Sequence, residues 1–236
     1  MSDYDRNVAA FPGATRTVAI DAGLRAHMIR VYNNMAGGVA LTAVVAWFTN
    51  QYFGPALYGS PLMFVLMFAP LALVFFISFR INHLAAGTAR TLFFVYAALL
   101  GASLSVIFAA YTGTSIARVF VITAAMFGGL SLWGYTTQRD LSGMGSFLMM
   151  GLIGLIVASL VNIFLRSSGL DWAISVIGVI VFTGLTAWDT QKIKEMYDVN
   201  DDGTVSGRKA VMGALALYLD FINLFLMLLR LFGDRR

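Results

Sequence analysis

The chain contains no cysteine among its 236 residues, which excludes disulfide bonds, thiolate catalysis and cysteine-based zinc or iron–sulfur sites. Charge is scarce as well, because only 12% of the residues are charged, whereas ordinary globular domains carry about 25%. A chain with so few charges does not cover itself with a solvated surface. The basic residues are spread between apolar runs and form no patch, so nucleic acid is not an expected partner. These absences indicate a protein whose solvent is the lipid bilayer.

What the chain does contain is apolar sequence, with a mean hydropathy of +0.79. Spanning helices need about 20 apolar residues, and no run shows the alternating pattern of a membrane β-barrel. We therefore predict an all-α integral membrane protein with seven transmembrane helices. A polar N-terminal segment, residues 1–24, precedes a seven-helix transmembrane domain, residues 25–236, and the first helix serves as an uncleaved signal. The predicted runs are 30–52, 61–79, 90–111, 115–135, 144–165, 172–197 and 210–232.

The distribution of Lys and Arg predicts a cytoplasmic N-terminus, because loops on the cytoplasmic side carry the excess of positive charge. In that orientation the basic residues on the inside are Arg6, Arg16, Arg25, Arg30, Arg80, Arg90, Arg139, Lys192, Lys194, Arg208 and Lys209. Those on the outside are Arg118, Arg166, Arg230, Arg235 and Arg236. Three of the discordant residues lie at the C-terminus. A last helix that crosses only in part would return them to the inside, but we expect full crossing.

Two carboxyl groups lie inside apolar runs, Asp189 in the sixth and Asp220 in the seventh. A charged Asp at the bilayer centre costs about 2.5–3.5 kcal/mol on insertion scales, so such a residue usually faces the bundle interior and has a partner. At 1.5 Å per residue, Asp189 lies about 12 Å and Asp220 about 16 Å from the cytoplasmic ends of their helices. The two helices are sequential and antiparallel, so we expect the carboxyl groups at similar depth.

Two neighbouring carboxyl groups do not both ionise cheaply, so such a pair shares a proton and titrates as a unit. Protonated, the pair holds two helices together through a hydrogen bond, and deprotonated it repels them. The same oxygens are suitable ligands for a hard cation such as Ca²⁺, and we expect at most transient metal contact at Asp189 and Asp220. The alternative is that each Asp only hydrogen-bonds to a neighbouring Ser, Thr, Tyr or Arg side chain.

The segment "DVNDDGTVSGRK" (198–209) nearly satisfies the EF-hand pattern. Asp198, Asn200 and Asp202 occupy the first ligand positions, but Lys209 replaces the bidentate Glu at the last one. We therefore expect a soluble turn without metal.

The two histidines, His27 and His83, lie near the ends of apolar runs, and we expect them to be interfacial side chains.

Three blocks resemble the Bax inhibitor-1 family, also called the transmembrane Bax inhibitor motif family, in its bacterial type. They are "GYTTQRDLSGMGSFLMMGLIGLIVASLVNIF" (134–164), "GLTAWDTQKIK" (184–194) and "ALYLDFINLFLMLLRLFG" (216–233). The resemblance implies six helices surrounding a central C-terminal helix and a pH-sensitive Ca²⁺ leak governed by a pair of aspartates. By motif, these are Asp189 and Asp220. It also implies an Arg near the end of the second helix that contacts the pair, for which Arg80 in "SFRINH" is the candidate.

Our expected function is therefore a calcium leak of the bacterial inner membrane, with Asp189 and Asp220 as its pH sensor and gate. Ca²⁺ would be the permeant ion, with no cofactor and no enzymatic activity. One alternative is a regulator that binds other membrane proteins, since some bacterial relatives are regarded as modulators of a membrane-bound AAA protease. A less favoured alternative is an intramembrane aspartyl protease, but the Gly-x-Gly-Asp element of those enzymes is missing before Asp220.

Overall fold

The computed structural model describes the backbone of residues 12–236 and the side chains of residues 22–236. The predicted polar segment 1–24 lies largely outside the described residues, although the backbone of residues 12–24 belongs to the first helix. The helices are α1 (Pro12–Leu57), α2 (Pro61–Arg80), α3 (Ala86–Leu104), α4 (Val106–Ala110), α5 (Gly113–Thr136), α6 (Ser142–Leu165), α7 (Ser168–Glu195) and α8 (Gly203–Phe232). A short 3₁₀ turn, Ile81–His83, follows α2.

Seven helical segments of the described chain are long and apolar enough to cross a membrane, with α3 and α4 together forming one segment, Ala86–Ala110. Within residues 12–236 the only β-type pairing is an isolated bridge between Tyr111 and Arg235. The prediction of an all-α protein with seven transmembrane helices is therefore confirmed. The chain is an integral, multi-pass membrane protein.

Several helices extend beyond the apolar runs from which they were predicted. α1 begins at Pro12 rather than near residue 30, and α8 begins at Gly203 rather than near residue 210. The Asp202 side chain accepts a hydrogen bond from the Val205 backbone N–H and so caps the N-terminus of α8. Apolar composition marks only the part of a helix that lies in hydrocarbon, whereas polar turns continue the same helix into the headgroup region. Hydropathy therefore places a helix but not its ends.

α8 is the central helix of the bundle. In an apolar stretch of 18 residues, 72% of the α8 residues are buried, compared with 11% in the corresponding stretches of α2 and α6. It packs directly against α1, α3, α5 and α7, while α2 packs mainly on α3 and α6 on α7. The predicted central position of the C-terminal helix is confirmed: four helices pack directly on it, and α2 and α6 lie at the lipid-facing periphery. Since lipid tails do not drive helices together, this packing depends on close van der Waals contact.

Glycine permits the closest approach between α5 and α7. A Cβ added at Gly134 would overlap the carbonyl oxygen of Ala187 and lie 2.9 Å from its Cα. The obstacle is backbone rather than a flexible side chain, so only a residue without Cβ fits at this helix separation. Gly134 thus fixes the distance between α5 and the helix that carries Asp189.

The bundle has two chemically different ends. We call the end that carries the α5–α6 and α7–α8 connections the basic end, and the opposite end the C-terminal end. At the C-terminal end three cations have acidic neighbours: Arg118 lies 3.0 Å from Asp234, and Arg230 and Arg235 lie 3.6 and 3.9 Å from Asp171. α8 crosses the whole bundle, as predicted. These ion pairs offset part of the positive charge of the C-terminus, which in the sequence disagreed with the predicted orientation.

Candidate functional site

The antiparallel register of α7 and α8 brings Asp189 and Asp220 together. Near the basic end a Cβ on Gly213 would lie 3.1 Å from the Ile193 side chain, and further along one on Gly178 would lie 2.8 Å from Met227. Asp189 and Asp220 fall between these two contacts in nearly the same register. Their side chains lie within hydrogen-bonding reach of each other. The register of the two helices thus makes the two carboxyl groups neighbours.

The two carboxyl groups differ in their surroundings. Asp220 is 4% exposed, and its Oδ2 atom is buried without a hydrogen-bond partner among the described residues. Asp189 is partly buried, and the positively charged Lys192, one turn further along α7, interacts with it electrostatically. A buried carboxylate oxygen without a donor is costly. Sharing a proton with its neighbour would remove that cost, because one carboxyl group would then donate to the other.

A chain of hydroxyl groups reaches Thr190, the residue that follows Asp189 in α7. The Tyr32 hydroxyl lies 2.6 Å from Ser131 Oγ, which lies 2.9 Å from Thr190 Oγ1. Thr190 in turn donates to the carbonyl oxygen of Thr186 at 2.7 Å. None of these hydroxyl residues was predicted from the sequence as part of the site. The available signal was the similarity between "FGGLSLWGYTTQ" (127–138) and "FTGLTAWDTQ" (182–191), which places Ser131 of α5 and Thr186 of α7 at matching positions.

This hydroxyl chain opens into a cleft between α1 and α5. The cleft has a volume of about 450 Å³, and its lining includes Arg25, Tyr32, Ser131 and Tyr135. Arg25 lies nearer the basic end than Tyr32 on α1, so the cleft leads from that end of the bundle to the hydroxyl groups. The rest of the lining is largely apolar and includes Met28, Ile29, Phe127 and Leu132, so the polar groups form only part of the cleft wall.

Aromatic rings cluster next to Asp220 along α8. Phe221 follows Asp220 directly, and its ring centroid lies 5.5 Å from those of both Phe120 and Phe127. Phe225, one turn further along α8, lies 6.1 Å from Phe120. These four phenylalanines form what we call the aromatic layer. The cavity beside it holds only about 70 Å³ and has an apolar lining.

The connection between α5 and α6 is fastened to α7 close to the pair. The buried Gln191 side chain donates from Nε2 to the Arg139 carbonyl oxygen, and its Oε1 accepts from the Leu141 backbone N–H, both at 2.8 Å. Lys194 Nζ donates to the Tyr135 carbonyl oxygen at 3.0 Å. The "DTQKIK" segment therefore combines a carboxyl group with side chains that hold the neighbouring loop.

Arg80 lies away from the aspartate pair. It is exposed at the end of α2, and α2 packs mainly on α3 rather than on the helices that carry the aspartates. Arg80 forms no ion pair with any acidic side chain among residues 22–236. The motif located this Arg correctly on α2, but the position of α2 at the periphery keeps it from the centre.

The α7–α8 connection forms a turn that is closed by side-chain hydrogen bonds and an ion pair. Asp198 accepts from the Asn200 backbone N–H, and this hydrogen bond lowers the pKa of the Asp198 carboxyl below its usual value. Lys209 forms an ion pair of 2.6 Å with Asp201. No group of three or more metal-ligating His, Asp or Glu side chains occurs among the described residues. The EF-hand resemblance therefore does not extend to ligand geometry.

The expectation for His27 was wrong. Its side chain is 0% exposed, packed with a ring-centroid distance of 5.9 Å against Tyr197 of the α7–α8 connection. The ring approaches the backbone of Ile193, but neither ring nitrogen completes a hydrogen bond with a described residue. The connection folds over α1 at this point, which hydropathy along a single run does not reveal. His83, by contrast, is exposed.

The fold and the site define a class of protein: a multi-pass α-helical membrane protein with a buried carboxyl pair on its last two helices. The family model described as "Inhibitor of apoptosis-promoting Bax1" matches residues 24–236. The chain belongs to this Bax inhibitor family. It is 52% identical to the "Inner membrane protein YbhL" of Escherichia coli (strain K12), over 96% of this chain and 99% of that protein. It is 48% identical to the "Uncharacterized protein RP147" of Rickettsia prowazekii (strain Madrid E), over the full length of both.

Proposed function

We propose that this protein is a pH-sensitive Ca²⁺ leak of the bacterial inner membrane, with its N-terminus in the cytoplasm and the Asp189–Asp220 pair as sensor and gate. The observation that carries the proposal is the contact between two carboxyl groups on adjacent helices, one of them with a buried oxygen that lacks a donor. Membership of the family and the similarity to an inner membrane protein support the location.

The mechanism follows from the protonation of the pair. In acid, a shared proton lets Asp189 and Asp220 hydrogen-bond, which holds α7 against α8. At higher pH the proton leaves, and two neighbouring carboxylates repel each other in a medium of low dielectric constant. α8 then shifts relative to α7, and the carboxylates are free to contact a passing Ca²⁺ ion.

The surroundings of the pair supply the two sides of such a path. The cleft and its hydroxyl chain give water and protons access from the basic end. The aromatic layer closes the route toward the C-terminal end, since the cavity there is small and apolar. In this arrangement the pair lies between the larger cleft on the side of the basic end and the small apolar cavity, and the repulsion between its carboxylates acts on Phe221 through α8.

Ca²⁺ uptake into liposomes, measured from acidic to alkaline pH, tests the proposal. A hydrogen bond to a charged group contributes about 1.5–3 kcal/mol. Since 1.4 kcal/mol corresponds to a factor of ten, we expect the wild-type flux to rise about 10- to 100-fold with pH. Asp189→Asn and Asp220→Asn should give a low flux at every pH, because the amide donates to the remaining carboxyl group whatever the pH.

Asp220→Ala gives the opposite expectation, a high flux at every pH, because it removes both the hydrogen bond and the charge of this side chain. Asp198→Asn is the matched control: it removes an exposed carboxylate at the basic end, outside the bundle core. An Asn variant that retains the wild-type pH response would contradict the latch. If the Asn and Ala variants abolish flux alike, the pair is an ion-binding site rather than a gate.

A further inference from the structure

A second polar cavity lies at the basic end, between α1, α3 and α8. It has a volume of about 340 Å³, and its polar lining comes from Arg30, Asn33 and Asn34 of α1 and Arg90 of α3. Gly87 of α3 and Gly207 of α8 form part of the remaining wall. None of these residues belongs to the carboxyl pair, the hydroxyl chain or the aromatic layer. The cavity is therefore a separate feature of the fold.

The charge in this cavity is uncompensated. Two guanidinium groups line it and no acidic residue does. Neither Arg30 nor Arg90 forms an ion pair with a described residue, and the nearby Asp201 is engaged by Lys209 at 2.6 Å. The Arg90 guanidinium lies 5.8 Å from the Phe94 ring, a contact that leaves its hydrogen-bond donors free. Arginine presents a planar set of donors that matches carboxylate and phosphate oxygens.

Two further groups of donors face the same space. Asn34 is only 8% exposed, yet its side chain forms no hydrogen bond with a described residue. α3 begins at this cavity, and its N-cap residue, Ala85, provides no side-chain cap for the N–H groups of the first turn. Uncapped N–H groups at a helix N-terminus favour an anion. A Cβ added at Gly87 would meet nothing within 4 Å, so the approach to these groups is open.

We propose that this cavity binds a phosphate group, held by Arg30 and Arg90 and further coordinated by the Asn34 amide and the first turn of α3. The group comes either from an anionic phospholipid headgroup or from free phosphate. The volume exceeds that of a phosphate alone, which leaves room for the remainder of a headgroup. Cationic sites at the end of a transmembrane bundle lie at the depth of the lipid phosphates.

The test uses the purified full-length protein in a neutral detergent. Short-chain phosphatidylglycerol, short-chain phosphatidylcholine and inorganic phosphate are titrated separately at constant ionic strength. Binding is measured by native mass spectrometry and by the shift in melting temperature. Arg30→Gln and Arg90→Gln should each weaken binding about fivefold or more, as expected for one cation at a membrane surface. Gly87→Leu, which fills the cavity without changing charge, should weaken it as well.

Arg139→Gln is the matched control, since Arg139 is an exposed cation at the same end, outside the cavity. Binding of phosphatidylglycerol without binding of inorganic phosphate identifies a lipid site. Competition between the two identifies a site for the phosphate group itself. Equal binding by wild type, Arg30→Gln and Arg90→Gln overturns the proposal, as does an equal loss in Arg139→Gln. The binding measurements do not involve Ca²⁺ flux, so they stand or fall independently of the proposed leak.

Discussion

Replacing Gly134 by Ala tests the closest backbone contact in the bundle. The added methyl group would overlap the Ala187 carbonyl oxygen, and the Ala187 Cα would lie 2.9 Å away. Neither obstacle moves unless α5 and α7 separate. Overpacking of this kind costs about 1–3 kcal/mol. For a chain of this size we expect a melting temperature lower by about 2–12 °C.

Gly129 of the same helix provides the control, because a Cβ added there would meet nothing within 4 Å. In an open helical position Ala is favoured over Gly by up to about 1 kcal/mol. Gly129→Ala should therefore leave the melting temperature unchanged or raise it by about 2–4 °C. The two variants make the same chemical change in the same helix, with opposite expected signs.

The assay is the loss of the monodisperse peak in size-exclusion chromatography after heating the protein in detergent. A Gly134→Ala protein as stable as Gly129→Ala would refute the inference that backbone contact fixes the α5–α7 distance. Because Asp189 lies two residues beyond Ala187 on α7, a changed helix separation should also shift the pH at which Ca²⁺ flux rises. That second measurement depends on the proposed leak, whereas the thermal measurement does not.

Three further outcomes are expected. Phe221→Ala should raise the Ca²⁺ flux in acid, where the wild type is closed, because it opens the aromatic layer without touching the carboxyl pair; an unchanged acidic flux would place the barrier elsewhere. His27→Leu should raise the melting temperature by a few degrees, since a buried polar group without a partner costs about 1–3 kcal/mol; a lower melting temperature would reveal a hidden partner. Asp171→Asn should cost at most about 1 kcal/mol in the same thermal assay, because its ion pairs with Arg230 and Arg235 are exposed.

The two aspartates show how far sequence reasoning reaches into the site. Their burial followed from the cost of charge in hydrocarbon, and their equal depth followed from helix rise and from the antiparallel order of consecutive helices. Both arguments use local quantities. The environment of the pair did not follow in this way, since Ser131, Thr190 and the aromatic layer come from helices whose rotation about their axes is set by packing.

Arg80 and His27 failed for the same reason. Arg80 was assigned from the family motif and His27 from its place at the end of an apolar run, and both kinds of sequence evidence give position along a helix but not direction around it. α2 packs at the periphery and leaves Arg80 exposed, whereas the α7–α8 connection folds over α1 and buries His27. Depth is a property of one helix, but burial depends on its neighbours.

The sequence by itself determined the membrane class, the number of crossings, the full passage of the last helix and the two carboxyl groups that needed a partner. These follow from transfer energies and helix geometry, which act residue by residue along the chain. Only the tertiary structure decided that α8 is buried by four neighbours, that Gly134 lies on the α7 backbone, and that Arg30 and Arg90 share a cavity. Such features depend on which faces of different helices meet. That choice is made by close packing between surfaces that are equally apolar, so hydropathy does not encode it.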